Sequence, residues 1–191
     1  MVFPRFLFTC DLLVFFIAYE LMISLVFFVM YLTANSRGAV EAILFFLGWA
    51  IVGSILVGSG LIYIIMVVQS RIFFIIYQFC FSPDELYYLY ILLGGGFGTK
   101  LSLWPFWYWL PRAHVEVSTS TSIFLSCILI KVCFYGLIRI FLLLGGEVPV
   151  TPFIFFISWG VLDLITRLVI QVDLKAITAY SSVLHVNLLV L

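Results

Sequence analysis

Charge is scarce in this chain: Asp, Glu, Lys and Arg make up 9% of its 191 residues. A soluble globular domain carries about 25%, so that class is excluded. The few charges balance, nine basic against nine acidic, and no basic stripe points to nucleic acid. Cysteine is sparse too. Cys10, Cys80, Cys127 and Cys133 lack metal-ligand spacing and read as small apolar fillers, not as a disulfide or metal site. The sequence has no phosphate loop, dinucleotide fingerprint, haem motif or iron–sulfur motif. Any redox chemistry then belongs to partner chains. A cleavable leader is not evident either: Met1 to Phe8 is short, carries Arg5 and lacks a small-residue cleavage site.

What the chain does have is apolar length. Its residues are 65% hydrophobic, with a mean hydropathy of +1.30. A membrane-spanning helix needs about 20 residues, so about six would use nearly the whole chain. The runs are continuous, which excludes the alternation of a membrane β-barrel. The expected fold is an all-α polytopic membrane protein, one membrane domain over residues 1–191, with one helix broken near Pro105.

The spans follow in order. The first runs from about Asp11 to Leu32, with Asp11 suited to the N-cap and Glu20 near its middle. The second, about Glu41 to Val68, holds no further charge. Its Ser54 and Gly58, at i and i+4, suit close helix packing. Ile72 to Phe81 is too short to span and reads as an interfacial or re-entrant piece. The third span, about Leu86 to Leu110, contains Lys100 followed by Pro105. Proline lacks an N–H and clashes with the carbonyl of Leu101, so the helix should break just after Lys100. Backbone groups freed at membrane depth need protein or water partners. Leu110 to Ser118 reads as a connection, and Ser118 to Ser122 as a cap for a fourth span reaching Leu144. In that span Lys131, Tyr135 and Arg139 form one polar stripe. The fifth span, about Pro152 to Ile170, carries Asp163 and Arg167 at pairing distance. A sixth starts near Ala176.

Charges inside spans are costly, so Glu20, Lys100 and Lys131 are the candidate site residues. A carboxylate and an ammonium in contact keep each other ionised. Drawing them apart in a dry site lets the lysine give up its proton. Such a pair is a proton switch that needs no cofactor. The alternative for Glu20 is a structural bond to a neighbouring helix. Lys131 would extend the polar axis if it faces the bundle. His114 is either a relay or a partner that orients Arg112 or Glu116. His185 is either a relay near neutral pH or a hydrogen-bonding residue between helices.

These residues also carry a resemblance. Phe97-Gly98-Thr99-Lys100, then Pro105-Phe106 and Trp109-Leu110-Pro111-Arg112-Ala113-His114-Val115-Glu116, form the first motif. Ile128-Leu129-Ile130-Lys131 with Tyr135-Gly136-Leu137-Ile138-Arg139 forms the second. Asp173-Leu174-Lys175-Ala176 with Ala179-Tyr180-Ser181-Ser182-Val183-Leu184-His185 forms the third. The set resembles the Mrp-type antiporter-like family, in the subunit-four branch found in mitochondrial NADH dehydrogenase (respiratory complex I). Phe15-Phe16-Ile17-Ala18-Tyr19-Glu20 is similar to the family's fifth helix. Ser102 departs from the pattern, standing where relatives usually have a second proline. Trp107 stands where many have histidine.

The resemblance implies part of an antiporter-like bundle, equivalent to the fifth helix through the start of the tenth. It implies a multi-pass protein of the mitochondrial inner membrane that moves protons through Glu20, Lys100 and Lys131. His114 and His185 match the family's polar network. Implied partners are membrane lipids and other membrane-arm subunits of complex I, including chains that supply the missing helices, and no nucleic acid. FMN, iron–sulfur clusters and ubiquinone would lie on partner subunits, with no cofactor or metal on this chain. A cation/proton antiporter of Mrp type and a non-pumping structural piece are the alternatives.

Overall fold

A computed structural model describes residues 8–34, 36–125, 129–145 and 150–191. Among the described residues there are nine helices and no strand. They are α1 (Leu12–Leu32), α2 (Arg37–Val68), α3 (Phe73–Gln78), α4 (Pro83–Lys100) and α5 (Trp109–Glu116). After these come α6 (Thr119–Phe124), α7 (Ile130–Leu144), α8 (Val150–Ile170) and α9 (Leu174–Val190). The expected leader before Phe8, Cys127 and the turn at 146–149 lie outside the described residues.

Two of these helices, α1 and α2, are long and apolar enough to cross a membrane. With 32 residues, α2 measures about 48 Å, more than the roughly 30 Å hydrocarbon thickness. Glycine decides how α2 meets α4. A Cβ on Gly96 would lie 2.8 Å from the Val57 backbone nitrogen and 3.0 Å from the Gly53 carbonyl oxygen. Only hydrogen at these positions lets the two backbones approach so closely, and α2 with α4 is the most extensive helix pairing in the fold.

Caps differ from the sequence expectation in two places. Asp11 is the N-cap of α1, but its side chain makes no capping bond. The Leu12 N–H donates instead to the Arg71 carbonyl at 2.9 Å, and the Phe73 N–H donates to the Cys10 carbonyl at 2.9 Å. These bonds stitch the start of α1 to the start of α3, so the short segment is anchored to the bundle with Ile76 fully buried. At α6, Ser118 is the N-cap without a capping bond, because its hydroxyl pairs with Thr121 Oγ1. The start of α4, by contrast, is a full capping box: Ser82 accepts from the Glu85 N–H and Glu85 accepts from the Ser82 N–H. The acidic Asp84 and Glu85 complement the dipole of that first turn.

The break falls where Pro105 predicts it. Helix α4 ends at Lys100, and its last bond runs from the Leu101 N–H to the Phe97 carbonyl at 2.8 Å. Ser102 then takes a positive φ of 54°, and the Trp104–Pro105 peptide is cis. A proline at position 102 could not adopt that φ. The segment read as a bare connection after Leu110 is itself helical, as α5. Asp163 and Arg167 of α8 pair at 3.1 Å as their spacing predicts.

Candidate functional site

Glu20 projects from α1, Ser54 from α2 and Lys100 from the last turn of α4. The Lys100 ammonium donates to Glu20 Oε1 at 2.6 Å and to Ser54 Oγ at 2.9 Å. Its side chain is 3% exposed, that of Glu20 29%. The Nζ atom also sits 4.6 Å from the centre of the Tyr19 ring, whose π face favours a cation. Tyr19 is fully buried and donates its hydroxyl to Cys133 Sγ on α7 at 3.3 Å. Three helices therefore converge on one ammonium, and a fourth holds the ring beneath it.

Ser54 gives this site a feature of its own. Its oxygen lies 2.7 Å from Glu20 Oε2 and 2.7 Å from the Ala50 carbonyl oxygen. A hydroxyl has one proton, so it donates to one of these acceptors at a time. While it accepts from Lys100, its proton can turn to Glu20 when the carboxylate is charged, or to Ala50 when it is not. The sequence reading assigned Ser54 to packing. Only its placement opposite Glu20 shows the polar role.

Directly below Lys100 the freed backbone is satisfied by protein. The Thr99 carbonyl accepts from Trp109 Nε1 at 2.7 Å, and the Gly98 carbonyl from the Leu103 N–H at 2.9 Å. Ser102 Oγ donates to the Leu101 carbonyl that Pro105 leaves unpaired. Asn187 of α9, fully buried, accepts from the Trp104 N–H at 3.3 Å and donates to the Val183 carbonyl at 2.9 Å. Its amide nitrogen also lies 3.5 Å from the Ser102 carbonyl oxygen. A paired lysine thus ends a broken helix, and a residue of a distant helix ties down the break.

The profile of the family described as NADH:quinone oxidoreductase/Mrp antiporter, TM, matches residues 9–191. The chain belongs to this family. NADH-ubiquinone oxidoreductase chain 4 of Paramecium tetraurelia is 35% identical over 179 residues, covering 94% of this chain and 38% of that protein. Chain 4 of Arabidopsis thaliana is 31% identical, covering 93% and 37%. The chain thus spans 38% or less of the length of these two relatives. Among solved structures, an Mrp complex from a Dietzia species superposes with a TM-score of 0.87 at 19% identity, covering 96% of this chain and 35% of that one. Respiratory complex I from Thermus thermophilus with bound aureothin gives 0.81 at 19% identity, covering 96% and 40%. These two likenesses establish the fold: this member of the antiporter family is an all-helical membrane protein.

The remaining sequence-predicted residues do not join the pair. Lys131 of this antiporter-family chain is exposed on α7, and among the described residues no hydrogen bond or ion pair links it to Glu20 or Lys100. The buried face of α7 is formed by Ile130, Cys133, Leu137 and Ile140, to one side of Lys131. The expected stripe survives in part: Arg139 donates to Tyr135 Oη at 3.4 Å and lies over the Phe73 ring at 4.4 Å. His185 is exposed on α9. His114 is 7% exposed, and its Nε2 has no hydrogen-bond partner among the described residues. It orients neither Arg112 nor Glu116, because residues two apart on a helix point away from each other. Burial first, and the nearby Lys175 charge second, push its pKa down to about 4. Lys175 itself donates to the Val115 carbonyl at 2.9 Å and to the Val117 carbonyl, capping the C-terminal end of α5. Trp107 packs against the Tyr180 ring and beneath the Arg167 guanidinium, which lies 4.8 Å from its ring centre.

Proposed function

We propose that this chain is a proton-translocating part of the membrane arm of an NADH:ubiquinone oxidoreductase in the mitochondrial inner membrane. The observation that carries this reading is the buried Lys100–Glu20 contact of 2.6 Å beside a broken helix. The family profile covers both NADH:quinone oxidoreductases and Mrp antiporters, and the named sequence relatives, both NADH-ubiquinone oxidoreductase chains, support the first over a stand-alone antiporter.

In this mechanism the pair rests as carboxylate and ammonium, with Ser54 bonded to both. Weakening the contact, by a shift of α1 against α4, removes the counter-charge that holds the proton on Lys100. The lysine then releases its proton, and Ser54 turns its hydroxyl to the Ala50 carbonyl. Lys131 and His185 take the proton onward only when surfaces of neighbouring chains bring polar groups to them. His114, neutral near pH 7, serves as a buried acceptor at the foot of the break. FMN, iron–sulfur clusters and ubiquinone belong to partner subunits in this scheme, and quinone reduction there drives the shift. Replacing Lys100 by Ala in a genetically tractable relative tests the reading. NADH-driven proton translocation in membrane vesicles should fall, while an unchanged proton yield would refute the role.

A further inference from the structure

One end of the bundle gathers the start of α2, the ends of α5 and α8 and the start of α9. A cleft of about 250 Å³ opens there, and Tyr108, Arg112, Glu116, Asp173 and Tyr180 are in its wall. A second cleft, of about 220 Å³, lies beside the break. Gly95, Gly98, Trp104, Phe106 and Phe156 line it, with no charged residue. The two share one face. Tyr108 borders the first and packs edge-on against Phe45 at 6.1 Å, while Phe106 borders the second and packs against Trp49 at 5.6 Å. Phe45 and Trp49 are one turn apart on the same side of α2, so the clefts follow each other along that helix. The eight residues of α5 rise about 12 Å from the break to the end of the bundle. Half of a hydrocarbon core is about 15 Å. The first cleft is therefore at headgroup depth and the second is among acyl chains.

The polar groups of the first cleft have bonding capacity to spare. Among the described residues, no hydrogen bond or ion pair engages Glu116, Asp173 or the hydroxyls of Tyr108 and Tyr180. Arg112 meets Glu41 at 3.7 Å, beyond hydrogen-bond length, so its guanidinium keeps donors for another acceptor. We propose that this face binds one phospholipid with an ethanolamine head. The phosphate accepts from Arg112 and the two tyrosine hydroxyls, the ammonium donates to Glu116 and Asp173, and an acyl chain fills the cleft beside Trp104 and Phe106. Charge selects the head. One cation faces two carboxylates in the wall, so an anionic glycerol lipid brings its phosphate but leaves both carboxylates unpaired. A choline head supplies the positive charge but has no N–H to donate. A primary ammonium carries three donors and serves both carboxylates. The proposal stands on the membrane setting of the family and not on the proton-handling role of Lys100.

Photolabelling tests the site on the assembly purified from native membranes in mild detergent. The probe is phosphatidylethanolamine with a diazirine in one acyl chain, added in detergent micelles, and cross-linked peptides are mapped by mass spectrometry. Label should fall on Trp104, Phe106 or Phe156. Unlabelled phosphatidylethanolamine should compete about fivefold better than phosphatidylcholine or phosphatidylglycerol, the upper end of what an exposed ion pair supplies. The double variant Glu116→Gln with Asp173→Asn should lose that preference while the label persists. Arg112→Gln should lower labelling severalfold. Gly95→Leu puts a side chain into the second cleft, its Cβ meeting only Leu56 Cδ1 at 3.9 Å, and should displace the label. Equal competition by the three lipids, or a preference for either rival, would overturn the proposal. So would label that reaches these residues only after partner chains are stripped away, which would make the face a subunit interface. If a variant fails to assemble, the competition on the unaltered protein decides.

Discussion

Substituting Glu20→Gln tests the energetics of the pair most directly. At a separation of 2.6 Å the attraction in a medium of effective dielectric about 20 is roughly 6 kcal/mol, before the cost of removing both charges from water. Replacing the carboxylate by an amide leaves a 3% exposed ammonium with only neutral partners: the amide oxygen, one hydroxyl and one aromatic face. Breaking a buried pair in this way costs about 3–5 kcal/mol. The double variant Glu20→Gln with Lys100→Met removes the stranded charge and keeps much of the lysine stem's volume. Replacing both members of a buried pair is often neutral or stabilising, by about 1–4 kcal/mol. The expected order of stability is therefore wild type near the double variant, with Glu20→Gln well below both. Thermal or denaturant unfolding of the detergent-solubilised protein, followed by helical circular dichroism, measures it. Both variants should lose proton translocation, so stability and activity separate in the double variant. A double variant no more stable than Glu20→Gln would refute the claim that Lys100 is charged in the folded protein.

Three further outcomes are expected. Because His114 titrates near 4 when folded and near 6.5 when unfolded, the unfolded chain binds more protons between those values. Its contribution is then complete above pH 6.5 and falls by up to roughly 3 kcal/mol as the pH drops toward 4. His114→Phe should flatten that part of a pH–stability curve, and an unchanged slope would disprove the assignment. Gly96→Ala places a Cβ 2.6 Å from Val57 Cγ2, whereas Gly48→Ala meets nothing within 4 Å. The first should cost about 1–3 kcal/mol and the second should be neutral or stabilising by up to about 1 kcal/mol, as read from paired melting curves. Asn187→Leu strips the Trp104 N–H and Ser102 carbonyl of their partner and should cost about 1–3 kcal/mol. Limited proteolysis should then cut faster between Leu101 and Tyr108, and an unaltered cleavage rate would argue against the clamp.

How much of this was legible in the sequence depends on how local the signal is. A lone charge in an apolar run announces itself, so Glu20 and Lys100 could be named before any contact was known. Pro105 located the break because its steric effect acts within one turn. Ser54 could not be read, since a serine among glycines looks the same whether it packs or bonds. Its role comes from a residue on another helix, Glu20. Asn187 was equally silent: its partners are Ser102 and Trp104, far away in the chain. Lys131 was named for its charge, but which face of α7 meets the bundle is set by neighbours its own run does not contain. His114 was grouped with Arg112 and Glu116 as loop neighbours, and the helical backbone of α5 turns them apart.

Gly53 holds a consequence of another kind. A Cβ there would lie 2.4 Å from Thr99 Oγ1 and 3.0 Å from Lys100 Cε, so the lysine stem occupies the space that every other amino acid would fill. The ammonium is thus located from behind by a missing atom as much as from in front by its carboxylate. The hold of the carboxylate on the proton can accordingly be retuned without altering a single ionisable residue, by changing the floor on which the lysine stem rests.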